Sequence, residues 1–153
     1  MMIYEPTKAD KLIEMMGYIV NKIKKNTELE LRTVGLTFTQ FGTLYAIAQN
    51  SEAPMSQREL ASACNTDTTT IMVVCDSLEK KGFLRRINDP DDRRINRIEI
   101  SDAGKKAYKK GFPLIMKTFA PVNNSLTDEE AEIAFPILQK MMIAVRDADV
   151  KQK

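Results

Sequence analysis

Phe83-Leu84-Arg85-Arg86-Ile87 runs into Asn88-Asp89-Pro90-Asp91-Asp92-Arg93-Arg94, and the alternating Arg97-Ile98-Glu99-Ile100 follows. This pattern is two strands joined by a charged, proline-containing turn. Just upstream, Ser56 to Lys81 carries two helix starts separated by Asn65-Thr66-Asp67. Ser56-Gln57-Arg58-Glu59 is a capping box, with Leu60 and Ala61 facing inward behind it. Asp67 to Lys81 places Ile71, Val74, Cys75 and Leu78 on one helical face, and Gly82 is suited to end that helix in the left-handed conformation. Helix, turn, helix, strand, turn and strand describe a winged helix.

Outward from this centre, both chain ends read as helices. Lys8 to Leu31 is amphipathic, with Leu12, Met15, Met16, Ile19 and Ile23 at helical spacing, and Gly35 ends it or follows in the loop. Thr37-Phe38-Thr39-Gln40 is a second capping box, and the helix it opens turns Phe41, Leu44, Tyr45 and Ala48 inward. Asn50 to Pro54 is turn-like. Ser101 to about Asn123 forms a further helix, in which Pro113 predicts a kink or break near Gly111-Phe112. Thr127-Asp128-Glu129-Glu130 is a third capping box, opening a last helix to about Asp147 whose pattern Pro136 interrupts. The expected fold is mostly α: a winged helix-turn-helix with a two-stranded β-wing and terminal dimerisation helices. The chain reads as one domain over 1–153, with the winged helix at 36–101 and dimerisation helices at 8–34 and 102–147. Leu12, Ile19 and Ile23 near one end, and Leu138, Met141, Met142 and Val145 near the other, have no partner in the winged helix. Burial against a second copy is therefore expected.

Lys and Arg total 23 against 21 Asp and Glu, so net charge alone does not argue for nucleic acid. The distribution does. From Lys80 to Arg97 there are seven basic residues (Lys80, Lys81, Arg85, Arg86, Arg93, Arg94, Arg97) and three acidic ones (Asp89, Asp91, Asp92). Asp92 precedes Arg94 by two positions across the turn, where a carboxylate can hold a guanidinium and set its direction. Arg94 then suits a narrow minor groove, which concentrates negative potential. Arg93 joins it there or binds phosphate. On this basis Arg94→Lys is expected to bind poorly and Arg97→Lys to be nearly silent.

The chain contains no His, which removes the usual general base, zinc ligand and catalytic triads, and it shows no glycine-rich phosphate loop. Asp91-Asp92 and Asp128-Glu129-Glu130 are explained as a turn and a helix start. We expect no enzyme, no cofactor and no metal site. No apolar run approaches 20 residues, Met1 to Pro6 lacks a signal-peptide pattern, and two cysteines form no framework. The expectation is a cytoplasmic protein with no membrane partner.

The chain resembles the MarR family of winged-helix transcriptional regulators. The likeness rests on Leu36-Thr37-Phe38-Thr39-Gln40-Phe41, Ser56-Gln57-Arg58-Glu59-Leu60-Ala61 and Leu78-Glu79-Lys80-Lys81-Gly82-Phe83-Leu84. The turn Asp89-Pro90-Asp91-Asp92-Arg93-Arg94 and Ile100-Ser101-Asp102-Ala103-Gly104 complete the ordered set. The resemblance implies a homodimer held by terminal helices, and regulation of transcription, usually repression relieved by a small ligand or by thiol oxidation. It implies a double-stranded DNA operator with inverted-repeat symmetry, the recognition helix 67–81 in the major groove and the wing 88–96 in the minor groove. The residues assigned to DNA are Ser56, Gln57, Thr68, Thr69, Thr70, Met72, Val73, Asp92, Arg93 and Arg94. Many relatives carry a polar residue and an arginine where this chain has Met72 and Val73. Readout here therefore leans on threonine hydroxyls and on apolar contact with thymine methyls.

The resemblance also implies a pocket between the dimerisation helices and the winged helix. Met16, Ile19, Tyr45, Phe112 and Met116 are its candidate lining, with Lys22 or Arg58 offering charge to a small aromatic or anionic ligand. Each of these residues also reads as ordinary core. Thiol-sensing relatives keep a reactive cysteine near the first helix, and this first helix has none. Cys64 and Cys75 read as packing residues of the helix-turn-helix. The competing function is a winged-helix protein-interaction module without specific DNA binding.

Overall fold

The structure, a computed structural model, describes residues 5–50, 53–89 and 96–150. Among the described residues six helices and three strands follow one another: α1 (Lys8–Arg32), α2 (Phe38–Gln49), β1 (Met55–Ser56), α3 (Gln57–Ala63), α4 (Thr68–Lys80), β2 (Leu84–Asn88), β3 (Asn96–Ile100), α5 (Asp102–Asn123) and α6 (Asp128–Val150). The chain divides into two compact units, Met1–Thr118 and Phe119–Lys153, and the division falls within α5. Among the described residues no helix is long and apolar enough to cross a membrane.

Local chemistry sets the helix boundaries in the first unit. Thr37 and Gln40 exchange capping-box bonds at the start of α2, and Ser56 and Glu59 do so at α3. A fourth box, Thr7 with Asp10, caps α1 and was not anticipated. Gly82 takes a φ of 69° directly after α4, where a side chain would meet its own backbone. The core gathers Leu31, Leu36, Phe41, Leu44, Leu60, Ile71, Cys75, Leu78, Leu84 and Ile98. α2 lies at its centre, packed against α1, α3, α4 and β3. Tyr45 and Ala48 depart from the expected inward set: Tyr45 is 43% exposed and Ala48 is half-buried. Val74 on α4 is also half-buried.

The sheet is larger than expected. β1 joins the two wing strands, in the order β1-β3-β2, all antiparallel. Met55 pairs with Ile98 and Ser56 with Arg97. A two-residue strand has no alternation to read, so only its partner reveals it.

Pro113 does not break α5, which is continuous from Asp102 to Asn123. Packing on either side of the proline holds the helix. A Cβ at Gly111 would lie 2.8 Å from the Phe41 ring, and Ile115 is buried. The Thr27 and Thr118 hydroxyls meet at 2.7 Å, and Lys117 pairs with Glu30 at 2.8 Å, so α5 is tied to α1 as well. The helix start is fixed equally firmly. Ser101 Oγ donates to the Gly82 carbonyl at 2.6 Å, and a Cβ on Gly104 would sit 1.9 Å from the Phe83 carbonyl oxygen, so only glycine fits.

In the second unit the Thr127–Glu130 box forms, with bonds of 2.9 and 3.2 Å, and opens α6. α6 passes through Pro136 without interruption. The missing amide costs one i→i−4 bond in a helix of 23 residues, and the turns on both sides keep theirs. No described residue of α6 is buried.

Candidate nucleic-acid interface

α4 presents its start to solvent. Asp67 is the N-cap, and its carboxylate accepts from the Thr70 amide at 2.8 Å and from the Thr70 hydroxyl at 2.7 Å. These bonds from Thr70 hold the Asp67 carboxyl below the usual carboxylate range. The Thr70 hydroxyl proton is thus committed to the cap, which leaves it only as an acceptor. Thr68 and Thr69 are exposed and make no hydroxyl hydrogen bond among the described residues. Met72, 44% exposed, and Val73, 62% exposed, stand on the outer face. Ser56 caps α3, taking the Glu59 amide on its hydroxyl oxygen at 3.3 Å, and Gln57 begins that helix half-buried. Asp92, Arg93 and Arg94 lie outside the described residues.

The basic run has a different role from the one its composition indicates. Lys81 Nζ donates to the Gly35 carbonyl at 2.7 Å and to Gln40 Oε1 at 2.9 Å. Gln40 in turn donates to Ser77 Oγ at 2.9 Å, so the capping residue of α2 also fastens α4. Arg85 pairs with Glu99 across the strands at 2.7 Å. Arg86 pairs with Asp76 at 2.5 Å and with Glu79. Arg97 pairs with Asp89 at 2.5 Å and with Glu59 at 2.9 Å. Four of the seven cations are therefore internal fastenings. This geometry changes what is expected of Arg97→Lys: a planar fork spanning two carboxylates has no lysine equivalent, so the exchange should disturb both pairs. Glu59 is held below the usual range first by the Ser56 amide and hydroxyl, and further by the charge of Arg97.

Burial pushes the Cys75 thiol up to about 11 and raises Cys64 as well. Neither has the lowered pKa that makes a thiol reactive.

The candidate ligand residues all lie in the first unit, and only some meet. Tyr45 and Phe112 are joined by Tyr108, with ring centroids at 6.3 and 5.9 Å, and Tyr108 stacks on Phe41 at 5.5 Å. Tyr108 escaped the sequence reading because its helix spacing gave no sign of the rings on α2. Met16, Ile19 and Met116 are partly exposed, and Lys22 and Arg58 are exposed, with no described contact to these rings. Two cavities lie away from these rings. One of about 690 Å³ is bordered by Gln49, Asn50, Pro54, Glu59 and Arg97, and one of about 410 Å³ by Thr33, Phe83, Lys106 and Lys110. Among the described residues no group of His, Cys, Asp or Glu is arranged to hold a metal ion.

Residues 34–95 match the profile of the MarR family. The chain is 31% identical over 120 residues to the uncharacterized HTH-type transcriptional regulator YwaE of Bacillus subtilis (strain 168), covering 78% of this chain and 68% of YwaE. The chain belongs to the MarR family. Two solved structures share the fold. S. aureus MepR in complex with DNA superposes with a TM-score of 0.80 at 22% identity, covering 92% of this chain and 99% of MepR. CouR from Rhodococcus jostii RHA1, bound to p-coumaroyl-CoA, gives 0.78 at 19% identity, covering 90% of this chain and 95% of CouR. This MarR-family protein is accordingly a winged helix-turn-helix transcriptional regulator.

Proposed function

We propose that this MarR-family protein is a dimeric repressor that reads an inverted-repeat operator and is released by a small ligand. The observation that carries the reading is the outward face of α4: Thr68, Thr69, Met72 and Val73 are exposed together, while the cations behind them are neutralised within the fold. That face suits a major groove, with hydroxyls for phosphate or base edges and apolar groups for thymine methyls. The cations we assign to DNA are Lys80, exposed at the end of α4, and Arg93 and Arg94, which the sequence puts in the turn between β2 and β3. MepR, of the same fold, was solved with DNA.

Arg94→Ala tests the wing. Each dimer loses two minor-groove cations, and a good contact contributes roughly 1–3 kcal/mol, so operator affinity is expected to fall tens-fold or more while the melting temperature holds. Asp92→Ala should fall between wild type and Arg94→Ala. Wild-type binding by Arg94→Ala in a fluorescence-anisotropy titration at physiological salt refutes the wing as a reader. A module that binds only protein predicts no salt-sensitive operator binding at all.

The ligand arm rests on the half-exposed rings of Tyr45, Tyr108 and Phe112, a surface that an aromatic molecule can stack on. CouR, of the same fold, was solved with an aromatic acyl-CoA. Such a ligand releases DNA only by favouring a different separation of the two recognition helices. A panel of phenolic and carboxylate compounds at millimolar concentration should include one that weakens operator binding, and Tyr108→Ala should abolish its effect. Unchanged affinity across the panel removes this arm.

A further inference from the structure

Two arginines of the wing strands reach beyond the sheet to the helix-turn-helix. Arg86, on β2, donates to Asp76 at 2.5 Å and to Glu79, which are neighbours one turn apart on α4. Arg97, on β3, donates through Nε to Asp89 at 2.5 Å and through Nη1 to Glu59, on α3, at 2.9 Å. The Pro54 carbonyl oxygen lies 3.5 Å from the same Nη1. Asp89 is only 4% exposed, and it follows the last residue of β2, where the wing turn begins. Glu59 is itself immobilised, because the oxygen that meets Arg97 also accepts the Ser56 amide at 2.7 Å and caps α3. The remaining arginine at the root of the strands, Arg85, pairs within the sheet with Glu99.

The geometry points to Arg86 and Arg97 as positioning residues for DNA reading: Arg86 fastens the wing to the recognition helix, and Arg97 fastens the root of the wing turn to α3. The two fastenings make wing and helix-turn-helix one rigid reader, which fixes the distance between the major-groove and minor-groove contacts. This rests on the wing reading proposed above. The pairs of Arg86 and the Arg97–Glu59 pair are partly exposed and contribute little stability on average, so direction is what they supply, while Asp89 is a buried carboxylate that needs the Arg97 charge beside it. Arginine is required because its planar fork reaches two acceptors in fixed directions, whereas an ammonium on a flexible stem holds neither alignment. Small misplacements of a rigid contact cost much more than the pairs themselves.

A double-mutant cycle separates positioning from mere folding. Arg97→Lys, Arg94→Ala and the double variant are titrated against an operator recovered by selection from random DNA, with melting curves for each. Arg97→Lys is expected to weaken binding roughly tenfold in the wild-type background and hardly at all once Arg94 is gone, because both act through the wing. Arg86→Lys should behave alike, and Arg85→Lys, confined to the sheet, should not. Equal losses in both backgrounds overturn the proposal. Hydroxyl-radical footprinting gives a readout independent of Arg94. Arg97→Lys should lose protection at the flanking minor grooves while the central protection persists. A silent Arg94→Ala refutes that residue as reader; the fastening still stands if the flanks are lost in Arg97→Lys, and falls if they remain.

Discussion

Replacing Leu138 and Met142 by Asp is expected to split the proposed dimer and abolish tight operator binding. Leu138 is 45% exposed and Met142 67% in the single chain, and Phe135, Ile137 and Val145 on the same helix are exposed as well. α1 likewise leaves Leu12, Ile13, Val20 and Ile19 uncovered. So many large apolar groups at the surface of the single chain call for a partner that covers them, since burying each side chain of this kind contributes about 1.5–3 kcal/mol. An isologous partner supplies such a cover, the same surface on each subunit meeting its counterpart. Two aspartates per chain introduce four carboxylates into that interface, and an unpaired charge is not tolerated there. Light scattering at micromolar concentration should find the wild type near ~35 kDa, twice 17.3 kDa, and the variant at half that. Operator affinity should fall by roughly 10²–10⁴, the factor that linking two binding modules supplies. The isolated winged helix is expected to stay folded, because the core around Leu44, Ile71 and Leu78 lies in the other unit. A wild-type monomer at this concentration refutes the dimer.

The phase of the operator is the second large effect. Two recognition helices related by a two-fold axis meet half-sites about one helical turn, ~34–36 Å, apart. Inserting five base pairs between the half-sites turns one of them to the opposite face of the duplex. Binding is then expected to fall toward the non-specific level, roughly a thousandfold or more. The wing fastenings sharpen this expectation, since a reader held by Arg86 and Arg97 has little freedom to follow a displaced site. Insertion of ten base pairs restores the face and should recover part of the loss. An operator that tolerates the five-base-pair shift refutes symmetric two-site reading.

The candidate site was partly legible. Asp67 to Lys81 was placed as a helix with Thr68, Thr69, Met72 and Val73 outward, and α4 shows them so. Asp67, at the end of the Asn65-Thr66-Asp67 turn, caps the helix, and its carboxylate takes both the amide and the hydroxyl of Thr70. The basic run was legible as composition and misleading as a set of free charges. A count of Lys and Arg does not know that Glu59, Asp76 and Glu79 lie across from Arg97 and Arg86. Tyr108 was missed for the same reason: its importance comes from the rings of Phe41, Tyr45 and Phe112 around it.

What the sequence by itself determined is what acts within one turn of chain. The boxes Thr37–Gln40, Ser56–Glu59 and Thr127–Glu130 formed as read, and Gly82 took its left-handed turn, because donor, acceptor and backbone conformation are all neighbours three or four residues apart. The tertiary structure decided everything that joins distant segments. Arg97 meets Glu59 across 38 positions, and Lys81 meets Gln40 across 41. β1 exists only because Met55 lies beside Ile98, and α5 runs on through Pro113 where Gly111 lies close against Phe41. Periodicity and capping are local free-energy preferences, whereas these pairings depend on which surfaces the fold brings within contact distance, and no spacing along the chain encodes that.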